Sequence, residues 1–131
     1  MIVLDTHTWV WYVASPERLS VSAKERIDSE AREIQVHISS ISCWELALLV
    51  KKGRLELTLE VEEWIARSEA LPFLRFVPVD NRIAVLSNHL PGEFHEDPAD
   101  RIITATALTM GAALITKDRK IQDYPHVETL W

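Results

Sequence analysis

The sequence predicts an α/β fold, a mostly parallel sheet covered by helices on both faces. Short apolar runs alternate with longer amphipathic stretches along the whole chain. Strands separated repeatedly by helices imply parallel βαβ crossovers, which bury both faces of a sheet. The 131 residues hold no repeat, low-complexity tract or linker, so one domain over residues 1–131 is expected. A composition 47% apolar and 26% charged, with 3 Gly and 6 Pro, is that of a globular chain and not a disordered one.

Each element has its own signal. Ile2-Val3-Leu4 is an apolar run stopped by Asp5 and reads as a buried strand. Helical spacing follows from Thr6 to Val13 and ends near Ser15-Pro16, and a second helix runs from Ser20 to Ile34 with Ser20 or Ser22 as cap. Val36-His37-Ile38-Ser39 is the second strand. The next helix, Ser42 to Lys52, is closed by Gly53, which tolerates the left-handed conformation. A helical pattern from Leu59 to Leu71 leads to a strand over 73–79 and a short helix over 82–90. After the Pro91-Gly92 turn, Asp97-Pro98 opens a helix that Gly111 ends. Ala113-Leu114-Ile115-Thr116 is the fourth strand and 127–131 the fifth.

Charge and cysteine content narrow the setting. With 14 basic and 20 acidic residues the net charge is -6, so the long-range positive field of a non-specific nucleic-acid binder is absent. A bound metal or a local basic patch can still reverse the sign at one site. The single cysteine, Cys43, excludes an internal disulfide and favours a reducing compartment. The N-terminus lacks a signal-peptide pattern, and the weakly polar run from Ile102 to Thr116 is too short to span a bilayer. A cytoplasmic location without membrane contact is expected.

Four acids stand out by position. Asp5 closes the first strand, Glu45 lies in the first turn of the third helix, Asp100 opens the helix before the fourth strand, and Asp118 follows that strand. In a parallel sheet, such positions converge beyond the carboxyl ends of the strands, where ligand crevices lie. Each acid also has a purely structural reading. Ser42-Cys43-Trp44-Glu45 has the form of a capping box, Asp97 that of a helix cap, and Asp5 and Asp118 that of turn residues. Asp5 resists this reading most, because a stray carboxylate at the end of a buried strand is costly to desolvate. Clustered carboxylates need a countercharge, and an oxygen-seeking divalent ion supplies it. The chemistry suggested is metal-assisted phosphodiester hydrolysis.

Four blocks together resemble PIN-domain nucleases, most closely the VapC-type toxins of bacterial toxin–antitoxin pairs. They are Ile2-Val3-Leu4-Asp5-Thr6-His7, Ser42 to Ala47, His95 to Arg101, and Leu114 to Asp118. The resemblance implies a three-layer α/β/α sandwich with a five-stranded, mostly parallel sheet and a Mg²⁺- or Mn²⁺-dependent endoribonuclease. Asp5, Glu45, Asp100 and Asp118 fall on the family's acidic metal-binding positions, with Asp97 a candidate further ligand. Thr6 and Thr116 fall on supporting hydroxyl positions. The resemblance also implies structured RNA such as tRNA as substrate, a homodimer, and a cognate antitoxin as partner.

Basic and aromatic residues have two readings each. Lys51 and Lys52, and Arg101 and Arg119 beside the acids, are candidate RNA contacts, or else ordinary solvated charge and ion-pair partners. The five Trp residues favour packing or interfaces over base stacking, with Trp9 or Trp11 the candidate at a dimer or antitoxin interface. His7 and His95 are expected to hydrogen-bond at the rim of the site. Two rival functions stand beside the nuclease. One is a catalytically inactive PIN-like module that binds RNA or protein. The other is a haloacid-dehalogenase-type phosphatase, which would need a second Asp where His7 stands.

Overall fold

The computed structural model describes residues 1–131. Strand β1 (Ile2–Leu4) leads into helix α1 (Thr6–Ala14), and a 3-10 turn at Pro16–Arg18 connects to α2 (Val21–Arg32). Strand β2 (Val36–Ser39) is followed by α3 (Ile41–Lys51) and α4 (Val61–Glu69), and β3 (Leu74–Val77) by α5 (Asn81–Leu86) and α6 (Pro98–Met110). Strand β4 (Ala113–Ile115), α7 (Arg119–Gln122) and β5 (Thr129–Leu130) complete the chain. All the strand pairs are parallel, in the order β3-β2-β1-β4-β5. This is the expected α/β/α sandwich, with α7 an element that the sequence pattern did not reveal.

Period-2 alternation divides the core between the two faces of the sheet. Ile2, Leu4, Ile38, Ala113 and Ile115 point to the side of α1 and α2, where they meet Val10, Ala23, Ile27, Leu46 and Trp64. Val3 and Leu114 point to the other side, against Ile83, Ile103, Ala107 and Ile121. Because β1 and β4 are buried on both faces, each is an uninterrupted apolar run. No helix is long and apolar enough to cross a membrane.

Trp9 corrects one expectation. It is completely buried, with its ring 5.0 Å from Trp64 and 5.5 Å from Phe76 in edge-on contacts. It is a core anchor, unavailable to any interface, and truncating such a ring costs about 3–5 kcal/mol. The surface aromatic is Trp44, which is 54% exposed.

The caps show where local signals hold. Asp97 accepts from the Asp100 N–H at 2.9 Å, Pro98 takes the first turn, and Gly111 ends α6 at φ 64°. The Ser42–Glu45 capping box does not form. Helix α3 starts at Ile41, whose N–H donates to Ser39 Oγ at 3.2 Å, so Ser42 and Glu45 lie inside the helix. Glu45 therefore stands just past the first turn, with its carboxylate free of any capping duty.

The sheet order reverses direction at β1. From β1 the chain moves outward through β2 and β3, then returns to place β4 on the other side. Between the carboxyl ends of β1 and β4 lies the crevice that such a switch creates. Leu4 is in register with Ile115, so Asp5 and Thr116 emerge side by side at its floor.

Candidate active site

The crevice opens into a cleft of about 420 Å³ lined by Asp5, Thr6, His7, Trp11, Glu45, Asp97, Asp100, Lys117 and Asp118. All four acids predicted as ligands are there, together with Asp97. Five carboxylates thus share the cleft with one lysine.

Asp5 is the floor. One carboxylate oxygen, Oδ1, caps α1 by accepting from the Thr8 N–H at 2.9 Å, and Oδ2 accepts from the Thr116 hydroxyl. Thr116 Oγ1 in turn accepts from the Asp118 N–H at 3.0 Å. The threonine therefore ties the first acid to the last and supports both. Asp118 caps α7 through a 2.8 Å bond to the Lys120 N–H. On the opposite wall, the Thr6 hydroxyl donates to Ser42 Oγ at 2.9 Å, locking α1 against α3 and hence Asp5 against Glu45. Ser42 is thus a supporting residue that the capping-box reading had disguised.

Glu45, Asp97 and Asp100 form the tightest group, each with a carboxylate oxygen within 4.8 Å of the others. His95 Nε2 lies 2.7 Å from Asp100 Oδ2. His7 is exposed and lines the cleft mouth. The expectation of hydrogen-bonding histidines at the rim divides between the two: His7 lines the mouth, whereas His95 makes its hydrogen bond to Asp100 from behind the cleft wall.

The electrostatics are those of unneutralised acids. Burial raises Asp5 above the usual carboxylate range, more strongly than its hydroxyl and amide donors lower it. Burial also raises Glu45, with the charge of Asp97 adding to it and the Thr6 hydroxyl opposing. Asp100 is pushed up to about 6, mainly by burial, with the charges of Asp97 and Glu45 adding and His95 opposing. The starts of α1, α6 and α7 present N–H dipoles to these groups, yet burial and mutual repulsion win. The donor set is all oxygen, negative and closely grouped, which fits a hard divalent cation and suits neither zinc nor copper.

The basic candidates separate. Lys117 lines the cleft, with its ammonium 5.9 Å from the centroid of the Trp11 ring. Arg119 is exposed in the first turn of α7, next to Asp118. Lys51 and Lys52 are exposed at the far end of α3 and take no part in the cleft wall. Arg101 does not face the acids. Its guanidinium donates to the carbonyls of His95 (2.7 Å), Phe94 (2.8 Å) and Ser87 (3.4 Å), clamping the loop before α6. A guanidinium whose three nitrogens each hold a backbone carbonyl of its own chain is a structural clamp, which corrects its reading as an RNA contact.

Trp11 is the one apolar side chain of the cleft wall, and it also borders a second, largely apolar groove of about 650 Å³. Helical spacing places Trp9 and Trp11 on opposite faces of α1 but does not say which face meets the core. Only the direction of packing separates the core ring from the cleft ring.

Comparisons with known proteins agree with this geometry. Residues 2–127 match the PIN domain family. Ribonuclease VapC22 of Mycobacterium tuberculosis (strain ATCC 25618 / H37Rv) is 36% identical over 132 residues, spanning 99% of this chain and 98% of that protein. The fold is similar to that in VapBC2 from Rickettsia felis bound to a promoter DNA fragment, with a TM-score of 0.72 and 19% identity over 99% of this chain and 98% of that one. It is also similar to FitAcB from Neisseria gonorrhoeae, with a TM-score of 0.65 and 24% identity over 100% of this chain and 97% of that one. An acid-lined cleft at the sheet's switch point and a match along nearly the whole sequence lead to one conclusion: the chain belongs to the PIN domain family.

Proposed function

We propose that the protein is a metal-dependent endoribonuclease, the toxin of a toxin–antitoxin pair, acting in the cytoplasm on structured RNA such as tRNA. The convergence of Asp5, Glu45, Asp97, Asp100 and Asp118 on one cleft carries this reading. The name of the 36%-identical relative, a ribonuclease, supports the substrate class.

Asp5, Glu45, Asp97, Asp100 and Asp118 would hold Mg²⁺, with Mn²⁺ as the alternative. When bound, such an ion supplies an activated water and neutralises the charge that develops on the phosphodiester. The chain's own residues do the rest. Lys117 draws the phosphate to the mouth of a cleft that is otherwise repulsive to it. Thr116 and Thr8 hold the Asp5 carboxylate in one orientation, and the Thr6–Ser42 bond fixes the spacing between α1 and α3. The Trp11 ring keeps one wall apolar.

A protein partner is part of the same proposal. The apolar groove beside the cleft is lined by Val10, Leu55, Leu57, Trp64 and Leu71, with Arg18, Arg54 and Arg67 also lining it. That chemistry suits an apolar, acidic segment of a cognate antitoxin. Its wall is shared with the cleft at Trp11, so a segment lying there would reach the acids. Pairing of two copies is also expected, and exposed Trp44 is the surface a sedimentation measurement on Trp44→Ala would test.

Purified protein incubated with total RNA in Mg²⁺, Mn²⁺ or EDTA tests the enzyme reading. Discrete fragments that require metal and vanish with Asp5→Asn are the expected result. Undiminished cleavage by a folded Asp5→Asn variant would overturn the site assignment.

A further inference from the structure

Asp100 is held from behind more elaborately than any other acid of the cleft. His95 Nε2 contacts its Oδ2 at 2.7 Å, and the imidazole is stacked on Phe94 with ring centroids 4.4 Å apart and planes 24° apart. The Arg101 guanidinium holds the backbone carbonyls of both Phe94 and His95. Phe94 in turn meets the Tyr124 ring edge-on at 4.9 Å, and the Tyr124 hydroxyl donates to the Pro91 carbonyl at 2.6 Å. A ring locked on one face and anchored through its backbone has little rotational freedom. None of these groups except Asp100 lines the cleft.

We infer that His95 is a positioning residue that fixes Asp100 as a single-oxygen ligand and thereby sets the preference of the site for Mg²⁺ over Ca²⁺. This rests on the proposed function, in which the acids hold a divalent ion. With Asp100 ionised, Nε2–H donates to Oδ2, which leaves Oδ1 for the ion. Two-oxygen coordination by Asp100 would have to use the second lone pair of Oδ2 within the orientation that the histidine bond imposes, which hinders it. Ca²⁺ accepts bidentate carboxylates and irregular geometry, whereas Mg²⁺ demands near-octahedral geometry with single-oxygen ligands. A carboxylate pinned by one oxygen therefore favours the smaller ion.

The test compares the wild type with His95→Leu and His95→Gln, by calorimetric titration with Mg²⁺ alone and with Ca²⁺ alone. Leu keeps bulk without a donor, and Gln carries an amide donor that reaches the position of Nε2. Expected is a loss of Mg²⁺ affinity of about 10–100-fold in His95→Leu, as is typical when the hydrogen-bond partner of a metal ligand is removed. Ca²⁺ affinity should fall less, so that the Mg²⁺-to-Ca²⁺ ratio drops, and His95→Gln should restore most of it. Equal ratios in all three proteins would overturn the proposal. So would a ratio that drops equally in the Leu and Gln variants, since loop disruption alone would then suffice. If His95→Leu fails to fold, His95→Phe, which keeps a ring against Phe94 but carries no donor, takes its place; the same drop in ratio is expected, and an unchanged ratio overturns the proposal. A wild type that binds neither ion would instead overturn the metal reading on which the proposal stands.

Discussion

Acidic residues at α2 and in the cleft live under opposite electrostatics. On α2, Asp28 lies 2.7 Å from Lys24, and Glu30 lies 2.7 Å from the N-terminal ammonium and 3.1 Å from Arg26. Both carboxyls are held below their ordinary range, Asp28 chiefly by the Lys24 hydrogen bond and Glu30 chiefly by the N-terminal one. In the cleft, Asp5, Glu45 and Asp100 are raised, chiefly by burial. The same side-chain type is paired with lysine, arginine or the N-terminal ammonium where it supports the fold, whereas no such ion pair forms in the cleft, which suits the proposed metal site. A cluster of acids that opposes folding when ionised is retained for something other than stability.

The sharpest way to break this contrast is to neutralise one acid of the cleft. Glu45→Gln should lower metal-dependent RNA cleavage by about 100-fold or more, while the metal-free protein becomes more stable. A gain of about 1 kcal/mol would raise Tm by roughly 3–6 °C in a domain of this size. Scanning calorimetry in EDTA measures it, and a lower Tm would contradict the electrostatic account.

The second effect is on pH dependence. A carboxyl with a raised folded pKa contributes stability when protonated. That contribution is full below the unfolded value of about 4 and is lost as pH rises through the folded value, about 6 for Asp100. Metal-free protein should therefore gain Tm between about pH 7.5 and 5.5, and saturating Mg²⁺ should raise Tm most at the upper end. The α2 acids behave oppositely. Their contribution is present above the unfolded value and is lost only as pH falls through the lowered folded value, outside that window. A metal-free Tm that falls on acidification to about pH 5.5 would refute the assignment.

The smallest effect lies on α2. Glu30→Gln should cost about 0.5 kcal/mol at low salt and less in 1 M NaCl, because partly exposed ion pairs are weak and screened. Urea unfolding at the two salt concentrations reads this directly. Cleavage should be unaffected, which separates the two classes of acid.

What was legible in the sequence depended on how local the cause was. Asp97-Pro98 and Gly111 marked the ends of α6 because caps are made by neighbouring residues. Asp5 was legible because an acid at the end of an apolar strand is costly to bury unless it binds something. The Ser42–Glu45 pattern misled because the true partner of Ser42, Thr6, comes from another helix. Arg101 misled similarly, since its carbonyl acceptors lie in the preceding loop and sequence adjacency to Asp100 says nothing about direction. Trp9 and Trp11 have equal claims by spacing, and only the packed sheet decides between them.

The pairing of β1 with β4 also dictates when the cleft comes into being. Asp5 is synthesised 111 residues before its partner Thr116, and the acid beyond it, Asp118, comes later still. Strands β1, β2 and β3 have all their mutual neighbours in the first part of the chain, but the crevice needs β4 beside β1. An elongating polypeptide therefore carries no complete constellation of carboxylates, however early its leading half collapses. Translation itself therefore delays any activity of the cleft until β4 and the acid that follows it have been made and can pair with β1.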